Sequence, residues 1–260
     1  MKLLFVGDVV GSPGRRALEE LLPALRERHA PDFVVVNGEN SAGGLGITPK
    51  IARRWLDSEG VDAITLGNHA FKHKEVYEYL DLEERIVRPA NYPASNPGRG
   101  FTVVASNGMR LGVVNLSGIV FLDAAHEPFS FVDGILSSLR DRTDFLLVDF
   151  HAEATSEKVA MGWHVDGRVT ACVGTHTHVP TADARVLPGG TAYCTDVGMT
   201  GPRGGVIGVK REQALARFLT MTNVRFSTSE EDPWLNAVLV EAGPDGHATA
   251  IEQILEPAPR

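Results

Sequence analysis

The sequence predicts an α/β fold in which much of the sheet is parallel. Two observations support this class: short uninterrupted apolar runs recur along the chain, and segments with helical periodicity lie between them. Strands that are buried on both faces have such runs, and parallel strands need a crossover connection that is usually a helix. The 33 acidic and 25 basic residues give a net charge of −8, which disfavours nonspecific binding to duplex nucleic acid.

Apolar runs that end in polar clusters are predicted to be buried strands. They are residues 3–6, 33–36, 63–66, 145–148 and 171–173. Two further strands, at 101–105 and 111–116, follow a loop at 89–100 that is rich in Pro, Gly and Asn. In the tail, residues 234–241 and 247–254 are predicted to form a hairpin around 243–246. We therefore expect a single domain, residues 1–260, with sheet added at both ends.

Helices are predicted between these strands. Residues 13–29 place four leucines on one stripe, as an amphipathic helix does. They are Leu18, Leu21, Leu22 and Leu25. Ser12-Pro13 predicts an N-cap followed by proline at the first helical position, and Thr48-Pro49 predicts the same before 51–56. Two more helices are predicted at 155–161 and 209–221.

Cysteine content and hydropathy indicate the compartment. Two cysteines, Cys172 and Cys194, exclude a disulfide scaffold and fit a reducing environment. No apolar run approaches the ~20 residues that a membrane helix needs, and the N-terminus lacks the features of a signal peptide. We expect a cytoplasmic protein that binds neither membrane nor duplex nucleic acid, and a homo-oligomer is left open.

Side chains that can bind a metal follow each of the five buried strands that end in polar clusters. They are Asp8, Glu39, Asn40, Asn68, His151, His176 and His178. In open α/β sheets, ligands bind beyond the carboxyl ends of the strands. Asp8 alone could cap a turn, but capping does not explain five strand ends together. Because one tetrahedral zinc ion needs only four ligands, the excess indicates two ions bridged by a carboxylate. Oxygen and imidazole donors suit manganese, iron or zinc.

These residues lie in motifs that resemble those of the calcineurin-like metallophosphoesterases. The motifs are Gly7-Asp8, Gly38-Glu39-Asn40, Gly67-Asn68-His69, His151 and Gly174-Thr175-His176-Thr177-His178. Two departures, Val9-Val10 after Asp8 and Glu39 in place of Asp, resemble the YmdB-like phosphodiesterases of bacteria. So do the blocks 88–93, 149–158 and 196–202, and the resemblance spans nearly the whole chain.

The resemblance implies a two-sheet sandwich flanked by helices, a four-layer αββα arrangement. It also implies hydrolysis of a small phosphodiester, a 2′,3′-cyclic nucleotide, at a di-iron or di-manganese centre, with zinc as a further candidate. Two ligand sets follow by position, with Glu39 common to both. The first is Asp8, Glu39, Asn40 and His178, and the second is Glu39, Asn68, His151 and His176.

A metal-bridging hydroxide is then expected to attack phosphorus, and His69, next to the ligand Asn68, is the candidate general acid. Two other functions use the same residues: a metal-dependent nuclease or phosphomonoesterase, and a regulatory metal-binding protein with little turnover. Three local alternatives stay open. Asn40 could cap the following loop, His69 could serve only as a hydrogen-bonding residue, and one imidazole of His176-Thr177-His178 could be a bystander.

Overall fold

The structure is a computed structural model that describes residues 1–259. These residues contain thirteen strands and six helices. Arg260, the last residue of the predicted domain, lies outside the described residues. The helices are α1 (Gly11–His29), α2 (Pro49–Ser58), α3 (Val76–Leu82), α4 (Pro128–Leu139), α5 (Thr155–Val165) and α6 (Arg211–Thr220). The strands are β1 (Lys2–Val6), β2 (Phe33–Asn37), β3 (Ala63–Thr65), β4 (Ile86–Val87), β5 (Phe101–Ser106), β6 (Met109–Ser117), β7 (Phe145–His151), β8 (Ala171–Thr175), β9 (Arg185–Val186), β10 (Ala192–Cys194), β11 (Gly201–Pro202), β12 (Pro233–Ala242) and β13 (Ala248–Pro257).

The strands form two mixed sheets. The first has the order β11-β12-β1-β2-β3-β4, with β13 on β12, and its strands β1 to β4 are parallel. The second has the order β5-β6-β7-β8-β10-β9, and its strands β6, β7, β8 and β10 are parallel. The predicted α/β class with extensive parallel pairing is therefore confirmed.

The two sheets pack face to face between two helical layers. Along β1, Leu3 and Phe5 point into the core between the sheets, while Leu4 and Val6 point into the core beneath the helices. This alternation buries both faces of the strand and explains why its apolar run is uninterrupted. Helices α1 to α3 cover the first sheet, and α4 and α5 cover the second. The predicted αββα arrangement is confirmed.

Helix starts show one wrong prediction and one confirmed prediction. α1 begins at Gly11, its N-cap is Val10, and no side chain caps it, so the predicted cap at Ser12-Pro13 is wrong. Backbone contacts fix this start, because the Val10 N–H donates to the Thr200 carbonyl at 2.9 Å. At α2 the Thr48 side chain accepts the Ile51 N–H at 3.4 Å, and Pro49 is the first helical residue, as predicted.

The predicted C-terminal hairpin is confirmed. β12 and β13 pair antiparallel, and the Gly243 N–H donates to the His247 carbonyl at 2.9 Å across the turn. β12 also pairs with all of β1, so the two ends of the chain meet in the first sheet. Helices α3 and α4 are absent from the predicted set. Within residues 1–259, no helix combines the length and the apolar character needed to cross a membrane.

Candidate metal centre

The parallel strands of both sheets end at one edge of the sandwich, and the predicted site residues lie there. Those of the first sheet follow β1, β2 and β3, and those of the second end β7 or follow β8. Asp8, Glu39 and His151 are completely buried, and Asn40 is nearly so. Polar side chains buried at this edge need partners, which they find in one another.

His151 Nε2 is the centre of the most compact group. It lies 2.9 Å from Asn68 Oδ1, 3.1 Å from Glu39 Oε1 and 3.0 Å from His176 Nδ1. Glu39, His151 and His176 each offer a ligand atom, and these three atoms lie within 4.8 Å of one another. Neighbouring ligands at right angles, each about 2.1 Å from one ion, would be about 3.0 Å apart. This group could therefore hold a metal ion, and we call it the metal group. It consists of Glu39, Asn68, His151 and His176.

Asp8, Asn40 and His178 lie beside this group. Asn40 Nδ2 is 3.1 Å from His178 Nε2, and Asp8 Oδ2 accepts the backbone N–H of His176 at 3.2 Å. Because His178 Nδ1 donates to the carbonyl of Ile207 at 2.9 Å, Nε2 is the nitrogen that carries the lone pair, and it accepts from the Asn40 amide. Asp8 Oδ1 is buried and has no hydrogen-bond partner among residues 1–259. An unpaired buried carboxylate oxygen is costly, and a cation would satisfy it.

The carboxylates of the group favour positive charge at its centre. Burial disfavours the ionised form of Glu39, but His151 and His69 outweigh it and lower the pKa of this carboxyl well below its usual range. Burial disfavours the charged ring of His151, yet Glu39 and Asp8 raise its pKa to about 9. Burial, with the neighbouring His151, lowers the pKa of His176 to about 3. His176 is therefore neutral near pH 7, the form in which an imidazole binds a metal.

Glycines allow the strand ends to approach so closely. A Cβ on Gly67 would lie 2.2 Å from Glu39 Oε2 and 2.4 Å from His151 Nε2. A Cβ on Gly174 would lie 1.8 Å from the carbonyl oxygen of Thr195. The glycines before Asn68 and Thr175 are therefore steric requirements of the site.

Behind His151 lies a buried chain of hydrogen bonds that the sequence analysis did not predict. His151 Nδ1 is 2.9 Å from Thr175 Oγ1, and this hydroxyl donates to Asp149 Oδ1 at 2.8 Å. Asn37 Nδ2 donates to Asp149 Oδ2 at 2.9 Å. Because Thr175 gives its only proton to Asp149, it accepts the His151 Nδ1–H, which directs Nε2 into the metal group. The available signal in the sequence was that Asp149 lies two residues before His151, which puts both side chains on the same face of a strand.

A buried ion pair holds the loop that carries His176 and His178. Both histidines have positive φ angles, 99° and 68°, which are unfavourable for residues other than glycine. Asp196 Oδ2 accepts the Thr177 backbone N–H at 3.1 Å and its hydroxyl at 2.7 Å, and Lys158 Nζ donates to the same oxygen at 2.6 Å. These contacts offset the unfavourable backbone geometry.

His69 contacts the ligand candidates from the rim of the group. Its Nδ1 lies 2.9 Å from Asn40 Oδ1 and 3.1 Å from Glu39 Oε1, and its backbone N–H donates to Glu39 Oε2 at 3.1 Å. None of its hydrogen bonds within residues 1–259 uses Nε2, and its side chain is 21% exposed. One ring nitrogen thus faces the candidate ligands while the other has no partner in the described part of the chain.

The four layers and the carboxylate–histidine group define the class: the chain has the fold of the calcineurin-like metallophosphoesterases. Within that class, the model of the family described as YmdB-like protein matches residues 4–254, and the chain belongs to this family. The resemblance predicted from the sequence motifs is confirmed.

Relatives with known names or structures cover essentially the whole chain. The chain is 48% identical over 256 residues to the 2′,3′-cyclic-nucleotide 2′-phosphodiesterase of Bacillus subtilis (strain 168), with 98% of this chain and 97% of the relative covered. A hypothetical protein from Thermus thermophilus superposes with a TM-score of 0.92 at 44% identity and full coverage of both chains. A structure titled as a novel phosphatase of Mycoplasma pneumoniae superposes with a TM-score of 0.91 at 36% identity, covering 99% of this chain and 94% of that one.

Proposed function

We propose that this protein is a metal-dependent phosphodiesterase that hydrolyses 2′,3′-cyclic nucleotides at a dinuclear centre. The observation that carries this proposal is the convergence of Glu39, Asn68 and His176 on the Nε2 atom of His151. The name of the Bacillus subtilis relative supports the substrate class. The net charge of −8 favours a compact substrate over a long polyanion.

Two overlapping sets of residues are proposed to hold the ions. The first is Asp8, Glu39, Asn40 and His178, and the second is Glu39, Asn68, His151 and His176. Glu39 suits the shared position because its carboxylate has one oxygen near His151 and the other beside the His69 backbone. The orphaned Oδ1 of Asp8 supports its assignment to the first set. Iron or manganese suits these oxygen and imidazole donors, and zinc also fits.

The chain's own residues position the donors and move a proton. Divalent ions bound there would supply a water that ionises near neutral pH and would neutralise charge on the phosphoryl oxygens. Thr175 and Asp149 keep His151 in the tautomer that offers Nε2. His69 directs Nδ1 to Asn40, which leaves Nε2 to give a proton to the ribose oxygen as it leaves phosphorus.

We propose that residues 1–260 act as a single metallophosphoesterase domain in the cytoplasm and that the small phosphodiester is its partner. Cys172 and Cys194 are both buried and unpaired, which supports a reducing compartment.

The test combines metal content with a substrate screen. Protein reconstituted with manganese or iron should contain about two ions per chain, and Glu39→Gln should lower that number because it weakens the shared ligand. Glu252→Gln, on the exposed side of β13, is the matched control. Wild-type protein should hydrolyse 2′,3′-cyclic nucleotides with higher kcat/KM than phosphomonoesters, linear diesters or duplex DNA.

Two results would contradict the proposal. A content of one ion per chain that Glu39→Gln leaves unchanged would exclude the dinuclear centre. A higher kcat/KM for a phosphomonoester or for duplex DNA would replace the substrate class with a phosphatase or a nuclease.

A further inference from the structure

One buried side chain, that of Asn91, forms hydrogen bonds with both ends of a loop at residues 118–125. Asn91 Oδ1 accepts the Ser117 N–H at 2.9 Å, and Nδ2 donates to the carbonyls of Ser117 at 2.7 Å and His126 at 2.9 Å. The His126 N–H returns a hydrogen bond to the Asn91 carbonyl at 3.1 Å. Both ends of the loop therefore meet at one residue, as in an Ω-loop. We call it the Asn91-clamped loop.

The start of this loop is fixed to the metal group. Ser117 pairs with His151 in the sheet register, and the Gly118 N–H donates to the His151 carbonyl at 3.0 Å. The buried carboxylate of Glu157 accepts the next two backbone N–H groups, of Ile119 at 2.9 Å and of Val120 at 3.4 Å. The backbone here is held on the same strand end that carries a proposed metal ligand.

The tip of the Asn91-clamped loop is apolar and exposed. Ile119 is 44% exposed, Val120 39% and Phe121 87%. Phe121 also has a φ of 63°, in the left-handed region that bulky side chains seldom adopt. Phe121 is the fourth residue after Ser117, so the two Cα atoms are at most about 14 Å apart. A phenyl group is thus presented to solvent near the metal group, at a cost in backbone strain that is typical of functional sites.

Aromatic residues follow closely in sequence on the metal group and on Asn91, and Phe71 lies three residues after Asn68. Tyr92 directly follows Asn91, and its ring centroid is 6.3 Å from that of Phe71. Burial raises the pKa of Tyr92, and the charges of Glu39 and Asp123 raise it further. Tyr92 therefore joins Asn91, which clamps the loop, to Phe71, which lies two residues after His69.

We propose that the Asn91-clamped loop is the base-binding subsite of the active site, in which Phe121 stacks on the nucleobase beside Ile119 and Val120. The inference rests on the proposed function, which gives the substrate a phosphate end and a base end. The metal group takes the anionic end, and a flat base gains free energy by stacking on an exposed aromatic ring. Because every base has such a face, the subsite selects nucleotides over simple phosphodiesters while tolerating different bases.

The experiment compares two cyclic phosphates, one with a base and one without. For 2′,3′-cyclic AMP, Phe121→Ala should raise KM about tenfold, as expected for the loss of one stacking contact, with little change in kcat. For methyl β-ribofuranoside 2′,3′-cyclic phosphate, KM should not change. Phe121→Tyr should keep wild-type KM for both. Phe218→Ala, which removes another exposed phenyl group from α6, is the matched control.

Three kinetic results would overturn the base subsite. They are an unchanged KM for 2′,3′-cyclic AMP in Phe121→Ala, an equal rise in KM for both substrates, and a larger base-dependent effect from Leu45→Ala. Leu45 is an exposed aliphatic residue in the glycine-rich loop that follows Asn40. The last result would place the base on the other side of the metal group.

A binding measurement separates this proposal from the proposed function. The Kd of adenosine 3′-monophosphate, measured by calorimetry, should be about tenfold higher for Phe121→Ala than for wild type. If wild type failed to hydrolyse 2′,3′-cyclic AMP but showed this difference in Kd, the proposed reaction would be wrong and the base subsite would stand. Equal Kd values would overturn the subsite whatever the activity.

Discussion

Replacing Gly67 with alanine should disable the metal group without unfolding the protein. The added Cβ would lie 2.2 Å from Glu39 Oε2 and 2.4 Å from His151 Nε2, whereas real Cβ atoms keep at least 3.0 Å from such neighbours. Glu39 would have to move by about 0.8 Å, and both side chains are completely buried, so neither can swing into solvent. A misplacement of about 1 Å at a reacting centre costs on the order of 100-fold in rate. We expect that loss in kcat/KM for a 2′,3′-cyclic nucleotide, together with a lower metal content.

The assay for Gly67→Ala needs a control that separates the local clash from a general effect of alanine. Gly134 lies in α4, and a Cβ there would meet no atom within 4 Å. Gly134→Ala should keep full activity and gain about 0.5–1 kcal/mol in the free energy of unfolding, since glycine is unfavourable within a helix. Circular dichroism, metal content and kcat/KM would be measured for both variants.

If folded Gly67→Ala protein kept wild-type metal content and activity, the carboxylate and imidazole next to Gly67 would not be the ligands. If it lost activity but kept both ions, the two side chains would bind metal with more freedom to shift than the packing indicates.

Three further predictions follow. Thr175→Val should lower metal affinity about 10- to 100-fold in equilibrium titrations, because it breaks the hydrogen-bonded chain that orients His151; an unchanged affinity would show that the chain is not needed. His69→Ala should keep both ions and slow hydrolysis of the cyclic nucleotide about 10²- to 10⁴-fold while sparing a nitrophenyl diester, whose leaving group needs no proton; equal losses, or loss of an ion, would contradict its role as general acid. Burial opposes ionisation of Asp183, but hydrogen bonds from Thr195 and Thr181 outweigh it and lower the pKa, so this carboxylate stabilises the fold above its unfolded pKa. That stability should be lost as the pH falls through the lowered pKa of Asp183. Below about pH 4, the free energy of unfolding should therefore decline less for Asp183→Asn than for wild type. Parallel declines in the two proteins would contradict this role of Asp183.

The fold class was predictable because strands that are buried on both faces have uninterrupted apolar sequences. The sequence of β1 is an uninterrupted apolar run because Leu3 and Leu4 are buried in different cores, on opposite faces of the strand. Helix α4 also had a signal that the sequence analysis left unused: Glu127 caps it through the N–H groups of Phe129 and Ser130, and Pro128 is its first residue. The cap at Ser12 was predicted wrongly because tertiary contacts of Val10 set the start of α1.

The positions of the candidate ligands at strand ends were predictable, but their supporting contacts were not. Asn37 and Asp149 hydrogen-bond at 2.9 Å although 112 residues separate them, because one lies in β2 and the other in β7. Contacts between the two sheets depend on how the sheets face each other, and no local pattern specifies that. The pairing of Lys158 with Asp196 is unpredictable for a related reason, since it joins α5 to the loop after β10.

The two sheets contribute different chemistry to the proposed centre. The first sheet supplies the oxygen donors, which follow β1, β2 and β3, and the second sheet supplies the imidazoles, which end β7 or follow β8. Neither set is a complete site, so the centre exists only where the sheets are packed together. Packing also sets the charge of the group, because His151 and His69 keep Glu39 ionised although burial opposes its ionisation. Ions bound there would therefore hold the sheet edges together, and metal binding would add to the free energy of unfolding of the sandwich.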